Sequence, residues 1–212
     1  MTDLYLIRHG QSVGNIKDLF LGHGDLDLTD LGYEQAEKTA EYLDGMQIDA
    51  IYSSDLLRAY NTALATAKHK DLPVITSKNL REIHAGKWEF MPYNEIIHTY
   101  TEDFQVWKDN IGLARCTGGE STMELAQRMG AEVTRIAKEN PDKSVCIFTH
   151  AAAIRMLRAY CDGCAPEDVR NIPWPSNASV THLQYDNKQL KVVAYSIDDF
   201  MGELVTRLPD DE

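Results

Sequence analysis

The chain has 212 residues, 43% of them hydrophobic and 25% charged, which is typical of one globular domain, residues 1–212, with a full core and at most an insertion. Its formal net charge of −12 argues against nucleic acid or an anionic membrane as the main partner, because non-specific binding to either depends on an excess of lysine and arginine. The sequence enters its first predicted strand without a signal-peptide pattern, and it has no apolar stretch that would span a bilayer, so we expect a cytoplasmic protein.

The first predicted strand ends in a cation and an imidazole. Residues 4–7 form an apolar run bounded by turn-forming residues, as in a strand buried on both faces, and Arg8, His9 and Gly10 follow directly. In open α/β sheets ligands bind beyond the carboxyl ends of the strands, so this step is a candidate anion site. Taken alone, so short a string is better explained by a strand that stops in a polar turn.

Helices and strands then alternate along the first half of the chain. The irregular connection 10–29 is long enough to indicate a functional role, and Thr29 caps a helix that stops at Gly45. A second buried strand is predicted over 48–52. The serines and the aspartate of 53–55 are predicted to supply the N-cap of the next helix, which places Arg58 on its first turn, again just past a strand.

The second half contains an interruption and then resumes the alternation. After a short third strand over 73–76, residues 77–120 are too long for a simple connection, and we interpret them as a cap over the site with short helices over 93–100 and 104–108.

A capping box over 121–124 begins a helix that ends at Asn140, and a fourth buried strand over 145–148 leads to His150 and a helix that starts at Ala151. Residues 180–185 and 190–195 flank an Asp186-Asn187 turn and predict a hairpin. The acidic C-terminal residues are predicted to be a tail.

Three separate strand ends therefore carry the candidate site residues. Parallel strands of one sheet bring Arg8 with His9, Arg58 and His150 to the same edge. Two guanidinium forks match phosphate oxygens, and the helix that starts at Ala151 adds backbone N–H donors. Singly, Arg58 is better explained as a surface helix residue and His150 as a hydrogen-bonded, half-buried imidazole. Their shared placement favours an oxyanion site.

Further short motifs occur in a fixed order along residues 4–180. They are Arg8-His9-Gly10-Gln11-Ser12 with Asn15, Gly22-His23-Gly24-Asp25, Leu28-Thr29-Asp30-Leu31-Gly32, Ser53-Ser54-Asp55-Leu56-Leu57-Arg58-Ala59, Leu80-Arg81-Glu82, Gly118-Gly119-Glu120-Ser121, Thr149-His150 and Asn177-Ala178-Ser179-Val180. This ordered set resembles the histidine phosphatase superfamily, in its phosphoglycerate-mutase-like branch 1. The resemblance implies a three-layer α/β/α sandwich around a mostly parallel sheet.

The resemblance also implies roles for these residues. His9 would be the nucleophile that forms a phosphohistidine, and neighbouring Arg8 and Arg58 should keep the pKa of its imidazole low. Arg8, Arg58 and His150 would bind the phosphoryl oxygens, with one more hydrogen bond from Asn15. Gln11, Leu21 and Gly22 would complete the substrate-binding set.

Glu82 matches the proton donor of the family. It would protonate the departing alkoxide and then accept a proton from the water that attacks phosphohistidine, and its acid form needs a raised pKa, which burial under the cap could supply. Glu89 and Glu120 are alternatives for this role.

The resemblance requires no metal and no cofactor. The seven histidines show no His-Glu-x-x-His spacing, which agrees. The single pair Cys161-x-x-Cys164 is weak evidence for zinc or redox chemistry, and we favour reduced structural thiols.

Departures from the family pattern bear on the substrate. The mutases carry a tyrosine where this chain has Ala85, and they carry an insertion rich in lysine and arginine, whereas the cations of residues 86–120 are only Lys87, Lys108 and Arg115. We therefore favour hydrolysis of a small phosphorylated substrate, with inorganic phosphate as product. A phosphoglycerate mutase and a non-catalytic phospho-ligand binder are the alternatives.

Two further departures from the family pattern affect the fine contacts with the substrate and leave the catalytic set intact. Leu21 stands where many relatives have glutamine, and Ala151 where glycine is common. Phe90, Tyr93 and Trp107 could line an apolar pocket, although packing within the cap is at least as good an explanation for each.

Overall fold

The computed structural model of the chain describes residues 1–208 and contains a central six-stranded sheet with helices on both faces. The strands are β1 (Thr2–Arg8), β2 (Leu19–Phe20), β3 (Ala50–Ser53), β4 (Val74–Thr76), β5 (Met91–Pro92), β6 (Ser144–Thr149), β7 (Val180–Asp186) and β8 (Gln189–Ile197). The helices are α1 (Val13–Ile16), α2 (Asp30–Asp44), α3 (Leu57–Lys70), α4 (Tyr93–Thr99), α5 (Thr101–Asp109), α6 (Thr122–Glu139) and α7 (Ala151–Asp162).

The sheet has the order β4-β3-β6-β1-β7-β8, and its first four strands are parallel. Ile7 of β1 and Ser53 of β3 both pair with Phe148 of β6, so these three strands end at one edge. The hairpin β7–β8 adds two antiparallel strands beside β1. The predicted fold class is confirmed.

Two apolar cores lie on opposite faces of this sheet. Leu4 and Leu6 belong to the core that contains the inner faces of α6 and α7, whereas Ile7 belongs to the core beneath α2 and α3. Successive side chains of a strand point to opposite faces, which is why a continuous apolar run is needed for a strand covered on both sides. Because the strands bury side chains on both faces, helices cover both sides of the sheet, which gives three layers.

The caps of two helices agree with the sequence, and that of a third does not. Thr29 accepts a hydrogen bond from Gly32 N at the start of α2, and the predicted capping box opens α6. The prediction that residues 53–55 cap α3 is wrong, because the N-cap is Leu56 and the first N–H of the helix, Leu57 N, donates to Asp25 Oδ1 at 2.8 Å. The Ser54 hydroxyl is held instead between Leu56 N and His150.

The long connections are more ordered than the sequence indicates. The connection 10–29 contains α1 and β2, and β2 pairs with β5 to join this connection to residues 77–120. Both short cap helices are confirmed as α4 and α5, the second beginning three residues earlier than expected.

The C-terminal hairpin β7–β8 differs from the prediction in the position of its turn. The hairpin turn lies at Asn187-Lys188, one residue beyond the predicted turn, and both residues adopt positive φ angles of 48° and 65°. That is the conformation of tight hairpin turns. The predicted acidic tail falls at residues 209–212, outside the described residues. Within residues 1–208 no helix is both long and apolar enough to cross a membrane.

Candidate active site

A cavity of about 590 Å³ opens at the edge where β1, β3 and β6 end. Its wall includes nearly all of the residues that the sequence proposed for the site, namely Arg8, His9, Gln11, Asn15, Leu21, Gly22, Arg58 and Glu82. His150 lies behind this wall, with its ring centroid 5.3 Å from that of His9. The structure therefore brings the predicted residues together from four separate segments of the chain.

The geometry of His9 leaves one defined ring nitrogen available. The side chain is 5% exposed, and Nδ1 lies 2.7 Å from the Gly10 carbonyl oxygen. A carbonyl only accepts, so Nδ1 carries the hydrogen and Nε2 carries the lone pair. Burial, with help from the positive charges of Arg58 and Arg8, holds the pKa of His9 well below its usual range. The imidazole is thus unprotonated, and the lone pair of Nε2 is available to react.

The two arginines are fixed by backbone carbonyls. Arg58 donates from Nη1 to the Gly24 oxygen and from Nη2 to the Gly22 oxygen, each at 2.8 Å, which ties α3 to the connection 10–29. Arg8 donates from Nη1 to the Pro175 oxygen at 2.7 Å, and its buried Nε has no partner within the described residues. Burial lowers the pKa of both guanidiniums to about 10, so both remain cationic at neutral pH.

His150 is oriented by a serine that the sequence placed in a helix cap. Its Nε2 lies 2.9 Å from Ser54 Oγ, and its buried Nδ1 has no partner among residues 1–208. Ser54 Oγ accepts from Leu56 N and has a hydroxyl hydrogen to donate, and we assign that donation to Nε2, with the ring hydrogen on Nδ1. Burial and the charge of Arg58 lower the pKa of His150 well below its usual range.

Glu82 sits on the N-terminus of α7. Its Oε1 accepts from Ile83 N at 2.9 Å and from Ala153 N at 3.1 Å, and its Oε2 accepts from Ala152 N at 3.1 Å. A helix N-terminus offers unpaired N–H groups to an anion. Among residues 1–208, Oε1 thus accepts two hydrogen bonds and Oε2 accepts one, so Oε2 has more capacity for a further contact.

The two alternative acids lie elsewhere. Glu120 makes two hydrogen bonds to the Arg128 guanidinium at 2.9 and 2.8 Å, and Glu89 accepts from His23 N at 3.2 Å. Neither lines the cavity. The geometry therefore favours Glu82 over both for a role in proton transfer.

The turn that follows His9 is held from two sides. A Cβ at Gly10 would overlap the Gly32 carbonyl oxygen of α2, so this close approach requires glycine. On the other side, the Asn177 amide donates to the His9 carbonyl at 3.1 Å. Asn15 Oδ1 accepts from Ser12 N, which leaves the amide nitrogen of Asn15 for a substrate.

The remaining predicted residues are Gly22 and the three aromatic residues proposed for an apolar pocket. Gly22 has a positive φ of 52°, and a Cβ there would overlap Ala85, so these two residues pack in direct contact beside the cavity. Tyr93 and Trp107 do line the cavity, whereas Phe90 is 50% exposed and does not. The proposal that Phe90 contributes to an apolar pocket is wrong.

Several residues that position the site were not predicted from the sequence to do so, and Ser54 was predicted only as part of a helix cap. Ser54 and Asn177 lie within the motifs, and their side-chain partners became visible only in the fold. Arg128 has no local signal, because it acts on a segment nearly fifty residues away. Among residues 1–208, no group of three or more histidine, cysteine, aspartate or glutamate side chains could hold a metal ion.

Comparisons with known proteins agree with this arrangement. The family model of the histidine phosphatase superfamily (branch 1) matches residues 4–198. Phosphoserine phosphatase 1 of Hydrogenobacter thermophilus is 34% identical over 161 residues, covering 76% of this chain and 75% of the relative. Glucosyl-3-phosphoglycerate phosphatase of Mycolicibacterium vanbaalenii is 33% identical over 187 residues, covering 85% and 83%. The solved structure of Bacillus stearothermophilus YhfR has a TM-score of 0.91 at 27% identity and covers 95% of this chain and 100% of that one.

Proposed function

Because the chain belongs to branch 1 of the histidine phosphatase superfamily, we propose that it hydrolyses small phosphomonoesters through a phosphohistidine formed on His9. The observation that carries this proposal is the unprotonated, buried His9 imidazole beside two guanidiniums in one cavity. The phosphatase names of the relatives support hydrolysis as the reaction.

In the first half of the reaction, His9 Nε2 attacks phosphorus and the P–O bond to the leaving group breaks. The guanidiniums of Arg8 and Arg58 and the Nδ1–H of His150 stabilise the charge on the phosphoryl oxygens. The leaving alkoxide takes a proton from Glu82, and Oε2 is the oxygen that the hydrogen bonds leave available for it.

In the second half, water attacks the phosphohistidine. Glu82 accepts a proton from that water, the P–N bond breaks, and inorganic phosphate leaves. His9 then returns to its starting tautomer, since Nδ1–H remains bonded to Gly10 throughout.

The small number of cationic side chains around the cavity favours hydrolysis over a mutase reaction. Of the three lysines and arginines in residues 86–120, only Lys108 lines it, while Arg115 pairs with Glu124 on the surface. A second phosphate or a carboxylate therefore meets little positive charge. A coupled assay for interconversion of 2- and 3-phosphoglycerate tests the mutase alternative directly.

The cytoplasm is the compartment we propose for this phosphatase. All four cysteines are free thiols, and two of them, Cys116 and Cys146, are buried. Reduced cysteines are typical of proteins that reside in a reducing compartment.

Trapping of the covalent intermediate tests the proposal. After rapid quenching in alkali, protein incubated with a ³²P-labelled phosphomonoester should retain label, because phosphohistidine is stable to base. His9→Ala should lose the label and at least ~1000-fold in kcat, since no other group forms the covalent bond.

His98→Ala, which changes an exposed histidine outside the cavity, serves as the control and should behave like the unchanged protein. Circular dichroism should show both variants folded. Turnover retained by a folded His9→Ala variant would contradict the assignment of the nucleophile.

A further inference from the structure

Beyond the phosphate-binding end, the cavity has an apolar wall. Six side chains contribute to it: Phe20, Tyr93, Ile97, Phe104, Trp107 and Trp174. They come from β2, from both cap helices and from the segment before β7. The wall belongs to the same cavity as His9, so the leaving group of a bound ester extends toward it.

The aromatic rings of this wall support one another. The ring centroid of Phe20 lies 5.1 Å from that of Trp107 in an edge-to-face arrangement, and Trp107 stacks on Trp174 at 6.3 Å. The guanidinium carbon of Arg155 lies 4.3 Å from the centroid of Trp174. Such contacts hold large rings in place and create a surface for another flat, apolar group.

The charged side chains on the cavity wall beyond Arg8, Arg58 and Glu82 are of both signs. Among the described residues they are Asp18, Lys108 and Arg207, all of them exposed, and Arg207 pairs with Asp198 at 3.1 Å. Exposed charges contribute little to binding an anion because water screens them. A carboxylate on the leaving group therefore gains little here and loses water against the apolar wall.

We propose that this site selects phosphomonoesters with an apolar leaving group, aromatic ones above all, and disfavours leaving groups that carry a carboxylate. This inference rests on the proposed phosphatase activity and specifies its substrate class. It differs from what the names of the two curated relatives indicate, since phosphoserine and glucosyl-3-phosphoglycerate each carry a carboxylate.

The test compares kcat/KM within two pairs of esters chosen to keep the leaving-group chemistry similar. The first pair is 2-naphthyl phosphate and phenyl phosphate, which differ in aromatic surface. The second is n-hexyl phosphate and O-phosphoserine, both esters of primary alcohols. We expect 2-naphthyl phosphate and n-hexyl phosphate to be favoured, each by ~10-fold or more, since burial of two or more extra apolar carbons gives discrimination of this order.

Two matched variants locate the effect. Ile97 and Val106 are each 40% exposed and lie on the neighbouring cap helices, but only Ile97 lines the cavity. Ile97→Ser should reduce the preference for n-hexyl phosphate several-fold, whereas Val106→Ser should leave it unchanged. Trp174→Ala should reduce the preference for the naphthyl ester.

The outcomes separate this inference from the proposed function. If no ester, p-nitrophenyl phosphate included, releases phosphate, the proposed function fails. If p-nitrophenyl phosphate is hydrolysed but O-phosphoserine equals or exceeds n-hexyl phosphate, the activity stands and the inference is overturned. The inference is also overturned if Ile97→Ser and Val106→Ser shift the preference equally.

Discussion

A backbone carbonyl determines which nitrogen of His9 can react. Gly10 O accepts the Nδ1 hydrogen at 2.7 Å, and the buried site keeps the second nitrogen unprotonated. In His150, Ser54 Oγ lies against Nε2, and Nδ1 has no partner among residues 1–208, which makes Nδ1 the atom proposed to contact the substrate. In each histidine a partner within the chain occupies one ring nitrogen, so the other ring nitrogen is the available one.

The low pKa values of His9 and His150 predict how stability depends on pH. In the unfolded chain both histidines bind protons below about pH 6.5, whereas in the folded protein their pKa values are lowered and they stay neutral. The unfolded state then binds more protons, so the free energy of unfolding decreases as the pH falls below about 6.5 and is unaffected by these groups above it.

Each histidine contributes a slope of up to about 1.4 kcal/mol per pH unit in that window. Thermal melts between pH 7 and pH 5 in phosphate-free buffer should therefore show a shallower loss of Tm for His9→Asn. The exposed His98→Asn should melt in parallel with the unchanged protein. Parallel behaviour of His9→Asn would refute the lowered pKa.

Glu82 should matter in proportion to how much the leaving group needs a proton. In Glu82→Gln the amide cannot supply one, so kcat for an alkyl ester should fall by ~100-fold or more. The same variant should lose much less with p-nitrophenyl phosphate, because p-nitrophenolate leaves without protonation. Equal losses on both substrates, measured as released phosphate, would remove Glu82 from this role.

At the level of elements, helix α6 holds the segment that carries Glu82. Arg128 donates from Nη1 to the carbonyls of Asn79 at 2.8 Å and Arg81 at 3.0 Å, and from Nη2 to that of Glu82 at 3.1 Å. Its remaining donors pair with Glu120. A planar guanidinium fork can satisfy several carbonyls at once, whereas an ammonium group presents a point charge.

Arg128→Lys should therefore reproduce the leaving-group signature of Glu82→Gln in weaker form. We expect a fall of ~10-fold in kcat on alkyl esters and a smaller one on p-nitrophenyl phosphate, since a small misplacement of an acid slows proton transfer. Arg135→Lys on the same helix is the control, because within residues 1–208 the Arg135 side chain pairs with Glu132 and Glu139 and makes no bond to the carbonyls of residues 79–82. A uniform loss on both substrates would mean that Arg128 has only a structural role.

At the scale of the whole molecule, the proposed anion site is assembled only in the folded chain. Arg8, Arg58 and His150 are far apart in sequence and come together because β1, β3 and β6 are parallel neighbours. The net charge of −12 gives the unfolded chain no affinity for phosphate. A ligand that binds only the native state stabilises it.

Inorganic phosphate should accordingly raise the Tm of this protein. At 100 times the dissociation constant the gain is about 2.7 kcal/mol. Sodium chloride at matched ionic strength serves as the control and should not reproduce the effect, and Arg58→Met should lose most of it. A Tm that rises equally with chloride would indicate screening of surface charge and no specific site.

The layers of the fold and the polar residues proposed to bind phosphate could be predicted from the sequence. Apolar runs such as residues 4–7 indicate strands buried on both faces, and the residues just after them, Arg8, His9 and His150, must then share one edge. These predictions succeed because the burial of a strand and the position of its end depend on consecutive residues.

The preference for Glu82 over Glu89 and Glu120 needed the three-dimensional fold, because it depends on which carboxylate meets the N-terminus of α7. The fold also assigned Ser54 to His150, where the sequence had predicted a helix cap. Of the apolar wall the sequence suggested only Tyr93 and Trp107, since the other side chains come from separate segments that share no periodicity. Contacts of that kind arise from packing between distant elements, and no local pattern encodes them.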